Sequence, residues 1–139
     1  MVDVTLSRAD LKVTAKALID TGSPICIFPR GIGDLLAIDF DGHGVATVFT
    51  LAGQRWRAVP ETVDLCLAPF NDLGWSAKVE FVMDGDLSYA ILGYEGFLDR
   101  WAVSMNGAAG YFLIEPADQL DRRTPPAVLQ EFRRQWPNL

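Results

Sequence analysis

The chain has 139 residues, half of them hydrophobic and only 22% charged, with a net charge of −6. That length suits a single domain, and that composition suits a packed core rather than global disorder. An acidic balance without clustered Lys and Arg argues against nucleic acid or an anionic membrane surface as partner; Arg122-Arg123 and Arg133-Arg134 are interleaved with Asp121 and Glu131, as on a solvated helix face.

No apolar run approaches the roughly 20 residues that span a bilayer. Residues 1–10, with early Asp3 and no long apolar segment, do not read as a signal peptide. A cytoplasmic protein with no membrane partner is the expectation, unless the chain is a fragment of a longer one. Cys26 and Cys66, each flanked by apolar residues, read as buried small hydrophobes; no spacing motif supports a disulfide.

In chain order, Leu11, Val13, Ala15, Ala17 and Ile19 alternate with Lys12, Thr14 and Lys16, which predicts a strand over 11–19. Residues 25–28 form a short apolar run, broken by Pro29-Arg30-Gly31-Ile32-Gly33, with one helical turn expected over 34–38. Asp41-Gly42-His43-Gly44 is turn material. Strands over 45–51 and 55–59 around Ala52-Gly53-Gln54 predict a hairpin, and 62–67 alternates again. Asn71 to Gly74 reads as a loop, 75–83 as a strand, and Asp84-Gly85-Asp86 as its end. The apolar run 89–93 precedes an expected short helix over 94–100. Strands over 101–105 and 111–114 flank Asn106-Gly107, a strong hairpin dipeptide. After Pro125-Pro126, residues 127–136 are helix-compatible, with Val128, Leu129, Phe132 and Trp136 as a partial apolar face. The predicted class is mainly β with two short helices.

One stretch calls for a chemical explanation. In Ala17-Leu18-Ile19-Asp20-Thr21-Gly22-Ser23, a carboxylate follows an apolar strand directly and precedes the apolar Ile25 to Phe28. Such a group is costly to bury unless it is hydrogen-bonded or used. Gly22 lets backbone N–H groups approach it, Ser23 can donate a hydrogen bond to the carboxylate, and the Thr21 hydroxyl can support the loop. Two carboxylates sharing a proton hydrolyse peptides well: one is base to a water while the other, protonated, polarises the carbonyl. The motif occurs once, so a dyad needs a second copy of the chain across a two-fold axis.

Asp20-Thr21-Gly22-Ser23 with its apolar approach resembles the active-site loop of aspartic proteases, and a single copy in a short mainly-β chain resembles the retropepsin-like branch. Ala90-Ile91-Leu92-Gly93, about seventy residues on, resembles that family's hydrophobic-hydrophobic-Gly motif. The resemblance covers roughly residues 11–115. It implies a closed acid-protease β-barrel over 1–116, with a flap hairpin and a short helix after the Ile-Leu-Gly motif, followed by a helical extension over 117–139.

The resemblance also implies a homodimeric aspartic endopeptidase acting on peptide or protein substrates, with Asp20 catalytic and Thr21, Gly22 and Ser23 orienting it. Gly53, Gln54 and Trp56 would form the flap, and Ile91, Leu92 and Gly93 would pack behind the site. No metal or organic cofactor is implied. The alternative is a non-catalytic dimeric peptide-binding or assembly module on the same fold. It is motivated by a flap with only Gly53 near its tip and with bulky Arg55, Trp56 and Arg57 beside it.

Other readings are weaker on chemical grounds. Ser23 lies in no Gly-x-Ser-x-Gly elbow, and Asp39, Asp41 and His43 lack the remaining positions of a calcium loop.

Overall fold

A computed structural model describes residues 1–42, 46–68, 74–85 and 87–117. The expected C-terminal helix, His43 and Asp86, and the loop expected over 71–73, lie outside those residues. The chain divides into two compact units, one spanning Met1–Leu98 and the other beginning at Asp99.

The first unit is a barrel built from β1 (Val2–Arg8), β2 (Leu11–Ile19), β3 (Ile27–Phe28), β4 (Thr47–Leu51), β5 (Gln54–Leu67), β6 (Gly74–Val82) and β7 (Ala90–Leu92), with one helix among the described residues, α1 (Arg30–Leu35). The strand order is β1-β2-β7-β3-β6-β5, and β1 pairs with β5 to close a six-stranded ring; β4 hangs from β5 outside it. Closure removes the free edges of the six strands that form the ring. Among the described residues no helix is long and apolar enough to cross a membrane.

Alternation explains the core. Val4 and Leu6 of β1, Ala15 and Ala17 of β2, Val59, Val63 and Leu65 of β5, and Ala77, Val79 and Phe81 of β6 are buried. Members of each set are two or four residues apart, as a strand with one face inward requires. β1 was not among the predicted strands, although Val2, Val4 and Leu6 alternate; its register with β2 runs from Val2↔Ala17 to Arg8↔Leu11.

Other boundaries also moved. The two strands expected over 55–59 and 62–67 are one strand, β5: Ala58 pairs with both Thr47 of β4 and Val82 of β6, and Pro60 continues the ladder to β6 opposite Glu80. The break expected at 29–33 is the start of α1, with Pro29 at its N-cap. Gly33 is required inside that helix, since a Cβ there would lie 2.6 Å from the Phe40 ring. The helix expected over 94–100 is a series of turns, with Phe97 N–H donating to Tyr94 C=O and Leu98 N–H to Gly93 C=O. Gly96 stands at φ +95°, which interrupts helical geometry, and Glu95 bridges to Ile25 as a strand would.

The second unit contains the hairpin β8 (Trp101–Asn106) and β9 (Tyr111–Pro116). Asn106 pairs with Tyr111, so the loop has four residues, 107–110. Gly110 N–H donates to Asn106 C=O, and Ala109 N–H to the Asn106 side chain.

Candidate active site

Asp20 follows the last residue of β2, where the strand leaves the barrel. Its backbone N–H donates to Leu92 C=O at 3.0 Å, which ties it to β7. β2 and β7 run parallel in the register Ala17↔Ala90, Leu18↔Ile91 and Ile19↔Leu92. The two motifs that lie far apart in sequence are therefore hydrogen-bonded neighbours.

The loop after Asp20 is built by its own polar groups. Gly22 N–H donates to Asp20 Oδ1 at 2.8 Å, and Ser23 N–H donates to Asp20 C=O at 3.2 Å. The Ser23 hydroxyl donates to Ile25 C=O at 2.8 Å rather than to the carboxylate, so its support of the loop runs through the backbone. Ser23 is buried, while Thr21 and Gly22 are exposed and Asp20 is half-buried.

Ile91, Leu92 and Gly93 are buried behind the loop. Tyr94 N–H donates to Ser23 C=O (2.8 Å) and Glu95 N–H to Pro24 C=O (2.9 Å). A Cβ on Gly93 would lie 2.6 Å from Ser23 C=O and closer still to Ile25 C=O. Only glycine lets the two chain segments approach this far.

The hairpin β4–β5 reaches over the same region. Leu51 pairs with Gln54, and the two-residue turn has Ala52 at φ +51° and Gly53 at φ +78°, a type I′ geometry. Phe49, Leu51 and Trp56 pack on a cluster formed by Ile27, Val82 and Ile91.

Asp20 is shared by two cavities. One, of about 220 Å³, is lined with Gly22, Pro24, Ile25, Phe49 and Leu51 among others. The second, of about 320 Å³, is lined with Leu51, Gln54, Trp56, Leu87, Tyr89 and Ile91 among others. Leu51 walls both. A larger groove of about 700 Å³ over Thr5, Ser7, Thr14, Asp64 and Trp75 does not include Asp20, so size alone does not locate this site.

The structure thus brings together Asp20, Gly22, Gln54, Trp56 and Ile91, with Gly53 at the hairpin tip. Ile25, Phe49, Leu51 and Tyr89 join them as cavity walls. The sequence marks these four only as apolar residues of strands, and their convergence depends on how the hairpin folds over.

Ion pairing near the site is peripheral. Arg57 on β5 and Asp84 after β6 lie 2.7 Å apart. The hydrogen bond between them raises the guanidinium above its ordinary value and holds the carboxyl below its own.

Comparison with solved structures matches this architecture to a retropepsin-like aspartic protease from Rickettsia conorii. The TM-score is 0.57 at 17% identity, over 81% of this chain and 88% of that one. No protein-family model matches the chain, and neither does any curated protein. The likeness is one of architecture: this chain has a retropepsin-like β-barrel fold.

Proposed function

We propose that the chain is an aspartic endopeptidase active as a homodimer, with Asp20 from each copy forming one dyad. The observation that carries this reading is the placement of Asp20: it ends a barrel strand, accepts Gly22 N–H at 2.8 Å, and is shared by two cavities beneath a hairpin. The retropepsin-like fold supports it.

In this mechanism the ionised Asp20 takes a proton from a water held between the two carboxyls. The water oxygen attacks the peptide carbonyl carbon. The protonated partner carboxyl donates to the carbonyl oxygen as negative charge develops there. As the tetrahedral intermediate collapses, one of its hydroxyls returns a proton to the ionised partner carboxyl, the C–N bond breaks, and the departing nitrogen takes the proton that Asp20 drew from the water, which restores the singly protonated dyad. Two carboxyls close enough to hold one water between them cannot both ionise, so activity belongs at acid pH. An extended peptide would lie between the Asp20 loop and the β4–β5 hairpin, held by strand-like main-chain hydrogen bonds. Gly53 and Gln54 at the turn and Trp56 on β5 would close over it, with Thr21, Gly22 and Ser23 shaping the loop. Ile91, Leu92 and Gly93 would hold the loop from behind.

The test is cleavage of a mixed peptide library between pH 3 and 7 by the wild type and by Asp20→Asn, with the mass of each measured by analytical ultracentrifugation. The expected result is a dimer in both, with cleavage in the wild type alone. The Asn side chain can still accept Gly22 N–H, so stability should change by less than about 1 kcal/mol. Cleavage that persists in Asp20→Asn overturns the mechanism. Peptide binding without cleavage, equal in both proteins, transfers the assignment to a binding module.

A further inference from the structure

Glu80 stands in the middle of β6, between β3 (Ile27↔Glu80) and β5 (Pro60↔Glu80). Its residue is only 7% exposed, and it is the single buried carboxylate in the described core. Oε1 accepts the hydroxyl of Thr47, the first residue of β4, at 3.2 Å, while Oε2 is buried with no hydrogen-bond partner. A carboxylate in that position lacks the donors that would make its charge affordable, whereas a neutral carboxylic acid is far less costly there.

A second orphan lies under the same hairpin. The indole Nε1 of Trp56 is buried without a partner; Trp56 pairs with Phe49 of β4. β3, β5 and β6 are each held by two neighbours along the barrel wall, but among the described residues β4 pairs only with β5. β4 is therefore the element that can lift to let water reach both orphaned groups without breaking the barrel.

We propose that Glu80 is a protonation-dependent latch on the β4–β5 hairpin: the neutral acid lets the hairpin seat on the barrel, and the carboxylate drives β4 outward. As a device regulating access to Asp20, it rests on the flap reading of that hairpin given above.

The charged groups around Glu80 do not alter the direction. Lys78, two residues back on the same face of β6, favours the carboxylate, as does the Thr47 hydroxyl, while Glu95 from the turn after β7 opposes it. β3 presents Ile27 and β4 presents Thr47, neither of which is charged. Pro60 is the facing residue of β5, and the adjacent Glu61 is engaged with Arg8 at 3.6 Å. Burial is the largest influence and pushes the Glu80 carboxyl up. The hairpin would thus close in acid, where a carboxyl dyad holds its proton, and loosen as pH rises.

The test is amide hydrogen exchange by mass spectrometry from pH 4 to 8, corrected for intrinsic exchange, on the wild type and on Glu80→Gln. In the wild type, protection over 47–51 should fall at least about tenfold as pH rises, the equivalent of one pKa unit of differential stabilisation. Protection in β1 and β2 should stay constant. In Glu80→Gln the fall over 47–51 should vanish. A flat wild-type profile, or the same profile in both proteins, overturns the latch.

A ¹³C titration of the Glu80 carboxyl in the wild type gives a test independent of the variant's folding, and an ordinary carboxylate value there also overturns the proposal. Neither readout needs proteolysis, and both can be repeated in Asp20→Asn. An inactive protein with the expected exchange pattern would reject the protease reading alone, and an active one with a flat profile would reject the latch alone.

Discussion

Replacing Gly93 by alanine tests whether the Ile-Leu-Gly segment holds the Asp20 loop by close backbone contact. The new Cβ would lie 2.6 Å from Ser23 C=O, against 3.4 Å for ordinary contact. The loop must therefore retreat by more than about 0.8 Å, since the contact with Ile25 C=O is tighter still. That movement would stretch the bonds from Tyr94 N–H to Ser23 C=O and from Glu95 N–H to Pro24 C=O, now 2.8 and 2.9 Å, beyond useful length. Two such bonds contribute about 1 kcal/mol each, and overpacking a rigid site costs about 1–3 kcal/mol more. The expected loss is about 3–5 kcal/mol, a large share of the roughly 5–15 kcal/mol that holds a domain together.

Urea unfolding followed by tryptophan fluorescence measures that loss. With a slope of about 2 kcal/mol per molar urea, the midpoint should fall by about 2 M at unchanged slope. Gly31→Ala is the control: Gly31 is exposed in α1, and a Cβ there meets nothing within 4 Å. That change should add about 0.5–1 kcal/mol, since glycine is unfavourable within a helix. A Gly93→Ala midpoint within about 0.5 M of the wild type would refute the claim that backbone contact at this glycine positions the loop.

Two further outcomes follow from the hairpin and the buried acid. Ala52 holds φ +51° in the type I′ turn, so Ala52→Asn, which tolerates that region, should stabilise by about 0.5–1 kcal/mol in the same urea assay; destabilisation would contradict the turn assignment. Glu80 is raised by burial, so the folded chain binds more protons than the unfolded one between the ordinary carboxylate range and the raised value. Stability attributable to this group therefore falls as pH rises through that window and levels off above it. Urea midpoints across pH should show that slope in the wild type and lose it in Glu80→Gln, whose advantage appears on the neutral side of the window.

Much of the barrel was legible because strand periodicity is a local property. Residues 11–19 and 75–83 alternate visibly, and they correspond to β2 and β6. The Asp20 loop stood out as a carboxylate directly after an apolar strand, and the Ile-Leu-Gly segment through its resemblance to the motif of a known family; both are noticed without coordinates. The expected helix over 94–100 failed because Gly96 adopts a positive φ and Glu95 pairs with Ile25, a contact with the Asp20 loop.

The sequence by itself determined the mainly-β class, the position of the lone Asp-Thr-Gly-Ser loop and a hairpin turn within 52–54, since each depends on alternation or turn chemistry over a few neighbouring residues. Only the tertiary structure decided that β1 closes the ring on β5, that Leu51 walls both cavities beside Asp20, and that the Ser23 hydroxyl serves Ile25 C=O. It also decided the burial of Glu80. A glutamate on the outer face of a strand reads as solvated until β4 folds across it, because desolvation is set by what packs against a group from far along the chain.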